Sequence, residues 1–236
     1  MYPLFALTPL LLSSAVYATQ TLCDVSNAVI DIPPGQTNLS LPSGIVPKFI
    51  AVGLGTQNYT CSSAGTYTYV LISLRFLKPF TVHLLLRNVG AFAELIDISC
   101  FVTNPGFASL RKRAPFPDSD AVWNHEAQVR AFLSSSIRLG FHFFQNVTIG
   151  GVSGLYPIWD FRGDLLKNDS QAFVAATKIG DLLSPDNSTQ DVDWLELTGV
   201  QGELSSFVYR VDSHFGQPPK TVRFYPFRYS NLNQYI

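Results

Sequence analysis

Charge is scarce in this chain. Charged residues fill 14% of 236 positions, and 16 basic residues against 17 acidic ones leave a formal charge of −1. Such a balance gives neither nucleic acid nor an anionic membrane surface anything to recognise. Histidine is equally sparse. His83, His125, His142 and His214 are scattered, with no H-x-H or H-E-x-x-H spacing to gather a metal ion. The chain has no G-x-S-x-G elbow, since Gly151-Val152-Ser153-Gly154 does not make one. Gly53-Leu54-Gly55 lacks the third glycine of a dinucleotide turn and runs on into the strand-like Tyr59-Thr60-Cys61, so no cofactor is expected. The three cysteines, Cys23, Cys61 and Cys100, are an odd set, and the sequence alone leaves open which two bond.

Apolar residues, by contrast, are abundant at 47%, enough to build a sizeable core from a chain of this length. They come in short runs separated by Pro, Gly and Asn: Ala28–Ile32, Leu39–Leu41, Pro47–Leu54, Gln57–Ser62, Phe92–Phe101, Gly140–Ile149, Tyr156–Phe161, Ala172–Lys178, Trp194–Thr198 and Ser206–Val211. This punctuation predicts an all-β fold, an antiparallel sandwich or barrel-like domain spanning 19–236. One helix is expected at Asp120–Ile137, capped by Asp118 or Ser119, with Val122, Trp123, Phe132 and Leu133 on its apolar face.

The first 18 residues have the form of a cleaved secretory signal, with an apolar run from Leu4 to Leu12 and small residues in Val16-Tyr17-Ala18. Five glycosylation sequons, at Asn38, Asn58, Asn146, Asn168 and Asn187, agree with export. Signal cleavage would leave no membrane anchor, since the leucine-rich stretch 70–87 is broken by Arg75, Lys78, Pro79 and His83. Arg111-Lys112-Arg113 reads as a processing site or an exposed loop.

GLGTQNYTC (53–61), VGAFAELIDISC (89–100), LGFHFF (139–144), PIWDF (157–161), DVDWLELT (191–198), YRVD (209–212) and GQPP (216–219) together resemble one family. It comprises small secreted proteins, mostly from filamentous fungi with bacterial relatives, defined by a domain of unknown function. Its members often carry a malate dehydrogenase name, which no motif here supports. Against the family pattern, 70–87 looks inserted and the text after Thr221 unrelated. Both stretches are expected to be translated introns. The resemblance also implies a fourth cysteine, missing here, which would leave Cys23 unpaired and Cys61 bonded to Cys100.

Two kinds of site are expected. An extracellular or cell-wall protein that binds glycan or another surface polymer would present Trp159, Trp194 and Tyr209 as ligand-binding aromatics, with Asp193 and Arg210 as polar edges beside the last two. A hydrolase would instead join His142 to Asp160 for acid–base work, or hold the two as a core pair beside Trp159. Asp191 and Asp193 alternate along a strand and read as solvated.

Overall fold

The computed structural model describes residues 23–57, 59–61, 67–69, 72–74, 86–88, 91–106, 127–186, 188–218, 229–231 and 234–235. The signal segment 1–18, Asn58, Asn187, the basic run 111–113, the start of the expected helix and most of 70–87 and 222–236 lie outside them.

Among the described residues thirteen strands occur: β1 (Ile50–Gln57), β2 (Tyr59–Cys61), β3 (Tyr67–Tyr69), β4 (Ile72–Leu74), β5 (Leu86–Asn88), β6 (Ala91–Asp97), β7 (Arg138–Ile149), β8 (Val152–Asp160), β9 (Phe173–Leu182), β10 (Trp194–Gln201), β11 (Phe207–Arg210), β12 (Tyr229–Asn231) and β13 (Gln234–Tyr235). Seven of them pair antiparallel in the order β1-β6-β7-β8-β9-β10-β11 and curl into a half-barrel. The short β12 and β13 lie against β1, and β13 also meets β11 at Tyr209. β2 with β3 and β4 with β5 form separate two-stranded pieces.

Alternation along the strands supplies two cores. One gathers Ala51, Leu95, Leu139, Trp159, Val174, Ala176, Leu197 and Val208 with Phe49 and Phe161. Because it draws on all seven long strands, it lies inside the curl. The other puts Ile50, Val52, Leu54, Ile96, Trp194 and Tyr209 on the outer face. There Val25 and Leu39 of the N-terminal segment cover them, with Val129 and Leu133 from the helical segment. Among the described residues that segment is helical over 127–132, and the chain is already in β7 by Arg138, so the expected end at Ile137 comes too late.

Two expected strands, Ala28–Ile32 and Leu39–Leu41, form no ladder. The second runs as a strap across the outer face, where the buried Glu196 carboxylate accepts Ser40 N–H at 2.6 Å and Ser40 Oγ–H at 2.8 Å. The expected Phe92–Phe101 strand stops at Asp97. Its carboxylate accepts the Ser99 N–H and hydroxyl, and a 3₁₀ turn follows over Ser99–Phe101.

That turn carries the disulfide. Cys100 bonds Cys23, with a Cα–Cα distance of 5.1 Å across a sequence separation of 77. The expected Cys61–Cys100 bond is therefore wrong, as is an unpaired Cys23. Cys61 sits on β2, outside the main sheet, whereas the N-terminal segment is packed beside the end of β6. Cys61 is thus the odd cysteine.

Candidate functional site

The hairpin β7–β8 places most of the residues singled out from sequence. Gly150 and Gly151, with φ of 58° and 84°, make a two-residue turn between Ile149 and Val152. Register then follows by counting. Seven steps back from Ile149 and seven forward from Val152 reach His142 and Trp159, which face each other. Asp160 pairs instead with Phe141, and the strand's period of two sends it to the opposite side of the sheet.

His142 and Asp160 are consequently separated. His142 stacks on Trp159 inside the half-barrel, with ring centroids 4.4 Å apart, and its Nδ1 lies 2.9 Å from Ile158 O. Since a carbonyl only accepts, Nδ1 carries the proton and Nε2 keeps its lone pair. Burial drives the imidazole pKa down to about 4, against the Ile158 bond and with a minor push from Arg210. The ring is neutral at ordinary pH. Burial pushes Asp160 upward, but hydrogen bonds from the Arg162 side chain and backbone, and its charge, outweigh this and hold the carboxyl below its usual value. Arg162 Nε and Nη2 donate to the two carboxylate oxygens at 2.9 and 2.7 Å. No acid–base pair forms, and the alternative of a His142–Asp160 core pair fails with it.

The expected aromatic platform is also dispersed. Trp159 is inside the curl, while Trp194 and Tyr209 are buried on the outer face. The Tyr209 hydroxyl donates to Ser40 O at 2.8 Å, and burial, reinforced by Glu196, raises it to about 12. None of the three is exposed enough to present a flat surface to a polymer. Asp191, read as solvated, is fully buried. Its carboxylate accepts Phe215 N–H at 2.7 Å, tying down a loop where Asp212 and Phe215 both have positive φ. Asn38, Asn146 and Asn168 are exposed, and Asn38 Nδ2 donates to Asp181 O at 2.9 Å. Gly53-Leu54-Gly55 lies within β1, paired to β6, and so forms no strand-to-helix turn.

What the described residues do gather is a hollow end of the curl. The inner core fills one end of the curl. At the other, two cavities of about 320 and 280 Å³ adjoin, sharing Phe144, Lys178, Leu195 and Arg210 in their walls. The first is floored by His142, Trp159, Phe144 and Leu197. The second adds Gln57, Tyr59, Asp181 and Asp193. A larger groove of about 510 Å³ lies on the outer side between Val29, Leu41, Ile45, Val46 and Phe207. Its polar lining (Lys48, Glu203, Ser205 and Ser206) includes no buried atom left without a partner, so it lacks convergent polar groups.

The mouth has them. Lys178 pairs with Asp181. Arg210 Nε and Nη2 both donate to Asp193 O, at 3.0 and 2.7 Å. Burial, then the neighbouring Asp181, push the Asp193 carboxyl above its usual range against the pull of Arg210. Burial likewise raises Tyr59 to about 12, and its hydroxyl donates to Gly216 O at 2.6 Å. Gln57 is 2% exposed, yet among the described residues its Oε1 has no hydrogen-bond partner, nor has Asp193 Oδ1. Leaving a buried polar atom unpaired costs about 1–3 kcal/mol, which marks both as groups awaiting a donor. Among the described residues no cluster of three or more His, Cys, Asp or Glu is placed to hold a metal ion.

Sequence reasoning reached Asp193 and Arg210 as parts of a ligand surface but missed Gln57, Lys178 and Asp181. Their signal was available as polar residues at inward positions of otherwise apolar strands, but it needs the register to be read. A family model described as "Protein of unknown function (DUF3455)" matches residues 81–224. No curated protein and no solved structure matches the chain. The chain belongs to the DUF3455 family.

Proposed function

We propose that this DUF3455 protein is an exported ligand-binding protein whose site is the open end of the half-barrel. The carrying observation is the pair of adjoining cavities, with apolar and aromatic walls on one side and four charged side chains plus a buried, unpartnered amide oxygen on the other. Pockets that fix small molecules combine these features, and the mouths of β-barrels are a common place for them. A cell-wall glycan or other surface polymer is taken on this reading by a terminal unit that enters the mouth. The buried positions of Trp159, Trp194 and Tyr209 favour that over binding along an exposed face. The separation of His142 from Asp160 favours binding over hydrolysis.

Leu195 borders both cavities and is half-buried at the edge of the inner core, so Leu195→Trp fills the mouth. Ligand titrations followed by NMR should perturb His142, Trp159 and Arg210 in the native chain and nothing in the variant. Shifts confined to the outer groove around Ile45 and Val46 would place the site elsewhere.

Export is supported by the leucine-rich start, by the Cys23–Cys100 disulfide and by exposed sequons at Asn38, Asn146 and Asn168. Mass spectrometry of the culture medium tests it, with an N-terminus beginning after Ala18 and glycan on those asparagines as the expected result. A filamentous-fungal origin goes with translated introns at 70–87 and after Thr221. In support, among the described residues β4 and β5 pair only with each other, and the family match ends at 224, just past Thr221. The match begins at 81, within the first stretch, and β12 and β13 of the tail pair with β1. Sequencing of the transcript decides: messages that retain both stretches in growing cells refute the idea.

A further inference from the structure

We propose that the group seated in the mouth is an uncharged, hydroxyl-bearing ring: a neutral sugar unit rather than an anion, a cation or a zwitterion. This rests on the mouth being the ligand site, as argued above, and adds the chemical class and the residue that selects it.

The argument starts from charge. Lys178 and Arg210 face the same cavity as Asp181 and Asp193, so any ion that enters meets a charge of its own sign. Lys178 already has its counter-ion in Asp181, while Arg210 gives two of its N–H donors to the backbone Asp193 O and has the Asp193 carboxyl near enough to attract it. An entering carboxylate would have to break the Lys178–Asp181 pair, and an entering ammonium would have to displace it. A zwitterion would have to do both. Desolvating the ion comes on top of either exchange.

Hydrogen-bond capacity points the same way. The unsatisfied atoms of this cavity are acceptors, Gln57 Oε1 and Asp193 Oδ1, and Gln57 is almost wholly buried. His142 Nε2 in the adjoining wall is a third acceptor, since Nδ1 faces Ile158 O. Around them stand the donors Lys178 and Arg210. A hydroxyl is both donor and acceptor, so several on one ring can satisfy this mixed wall without bringing charge. The remaining wall includes the half-buried Phe144 and Leu195, apolar area suited to the C–H face of a sugar ring. Gln57 is then the specificity-determining residue: its amide oxygen is left unpaired in the free protein and paired in the complex.

The test uses the full mature chain. Neutral mono- and disaccharides are titrated by NMR and calorimetry. For whichever sugar binds, the corresponding uronic acid and amino sugar follow, with free tryptophan as a zwitterion and indole as an uncharged apolar probe. A neutral sugar should bind, and its charged counterparts should bind about tenfold more weakly or worse. Gln57→Leu should lose about tenfold in affinity while melting no lower than the native chain, since it removes a buried atom with no partner. Equal or tighter binding of the uronic acid, the amino sugar or tryptophan overturns the class. Unchanged sugar affinity in Gln57→Leu overturns the role of Gln57. Indole binding in the mouth without any sugar binding overturns this inference and leaves the mouth as the site. If no probe perturbs His142 or Trp159, both fall together.

Discussion

Lowering the pH from 7 to 4 should remove about 3 kcal/mol of folding stability through His142 alone. The folded imidazole protonates at about 4 because it is buried against Trp159. In the unfolded chain it protonates at about 6.5. Between those two values the unfolded state binds more protons than the folded one, so stability falls as pH falls through this window and levels off below about 4. Carboxylates such as Asp160 titrate in an overlapping range, and the comparison must therefore be with His142→Phe. Urea unfolding followed by tryptophan fluorescence at pH 7.5, 6, 5 and 4 supplies it. The native chain's stability relative to the variant should shrink by about 3 kcal/mol across the series. Parallel curves for the two proteins, or an NMR titration of the His142 ring near 6.5, would refute the burial argument.

Three further outcomes follow from the packing. Cys23→Ser should cost about 2–5 kcal/mol, with the separation of 77 residues placing the chain-entropy estimate near about 4.5, while Cys61→Ser should leave the urea midpoint in place. Reversal of those two results would restore the Cys61–Cys100 pairing. Asp160→Asn breaks the two-pronged contact with Arg162 and should lower stability by about 1 kcal/mol without changing ligand affinity, as measured by calorimetry. A large affinity loss would return Asp160 to the site. In Gly140→Ala the new Cβ would lie 2.0 Å from Asp160 O, a backbone atom held in the β7–β8 ladder, so a loss of about 3 kcal/mol is expected from thermal unfolding. A melting point within about 2 °C of the native value would show that the ladder yields more easily than its pairing implies.

The all-β class was legible because period-two alternation and turn residues are local signals, and the strands from Arg138 onward follow them closely. The N-terminal runs misled for a related reason. Leu39 has the apolar character of a strand residue, but it is buried by lying across the sheet, where side-chain bonds from Gln36 and Glu196 replace a ladder. The partition of His142 and Asp160 onto opposite faces was also present in the sequence. The Gly150-Gly151 turn sets the register, and counting outward from it pairs His142 with Trp159. What no count along the chain reveals is the mouth, since Gln57, Lys178, Asp193 and Arg210 come from four strands or their flanks and meet only when the sheet curls. The Cys23–Cys100 bond was hidden likewise, because the position of an irregular N-terminal segment depends on which outer-face residues it covers.

The curl is solid at one end and hollow at the other, and this divides labour within a single sheet. Phe49, Phe161, Leu139 and Leu204 act as a foundation that tolerates little change, while the residues around the rim carry few of those contacts. Rim side chains can therefore be exchanged without collapsing what lies beneath them. A lineage built on this plan could keep one vessel and alter its contents many times. Sharing the vessel would then say a great deal about shape and very little about cargo.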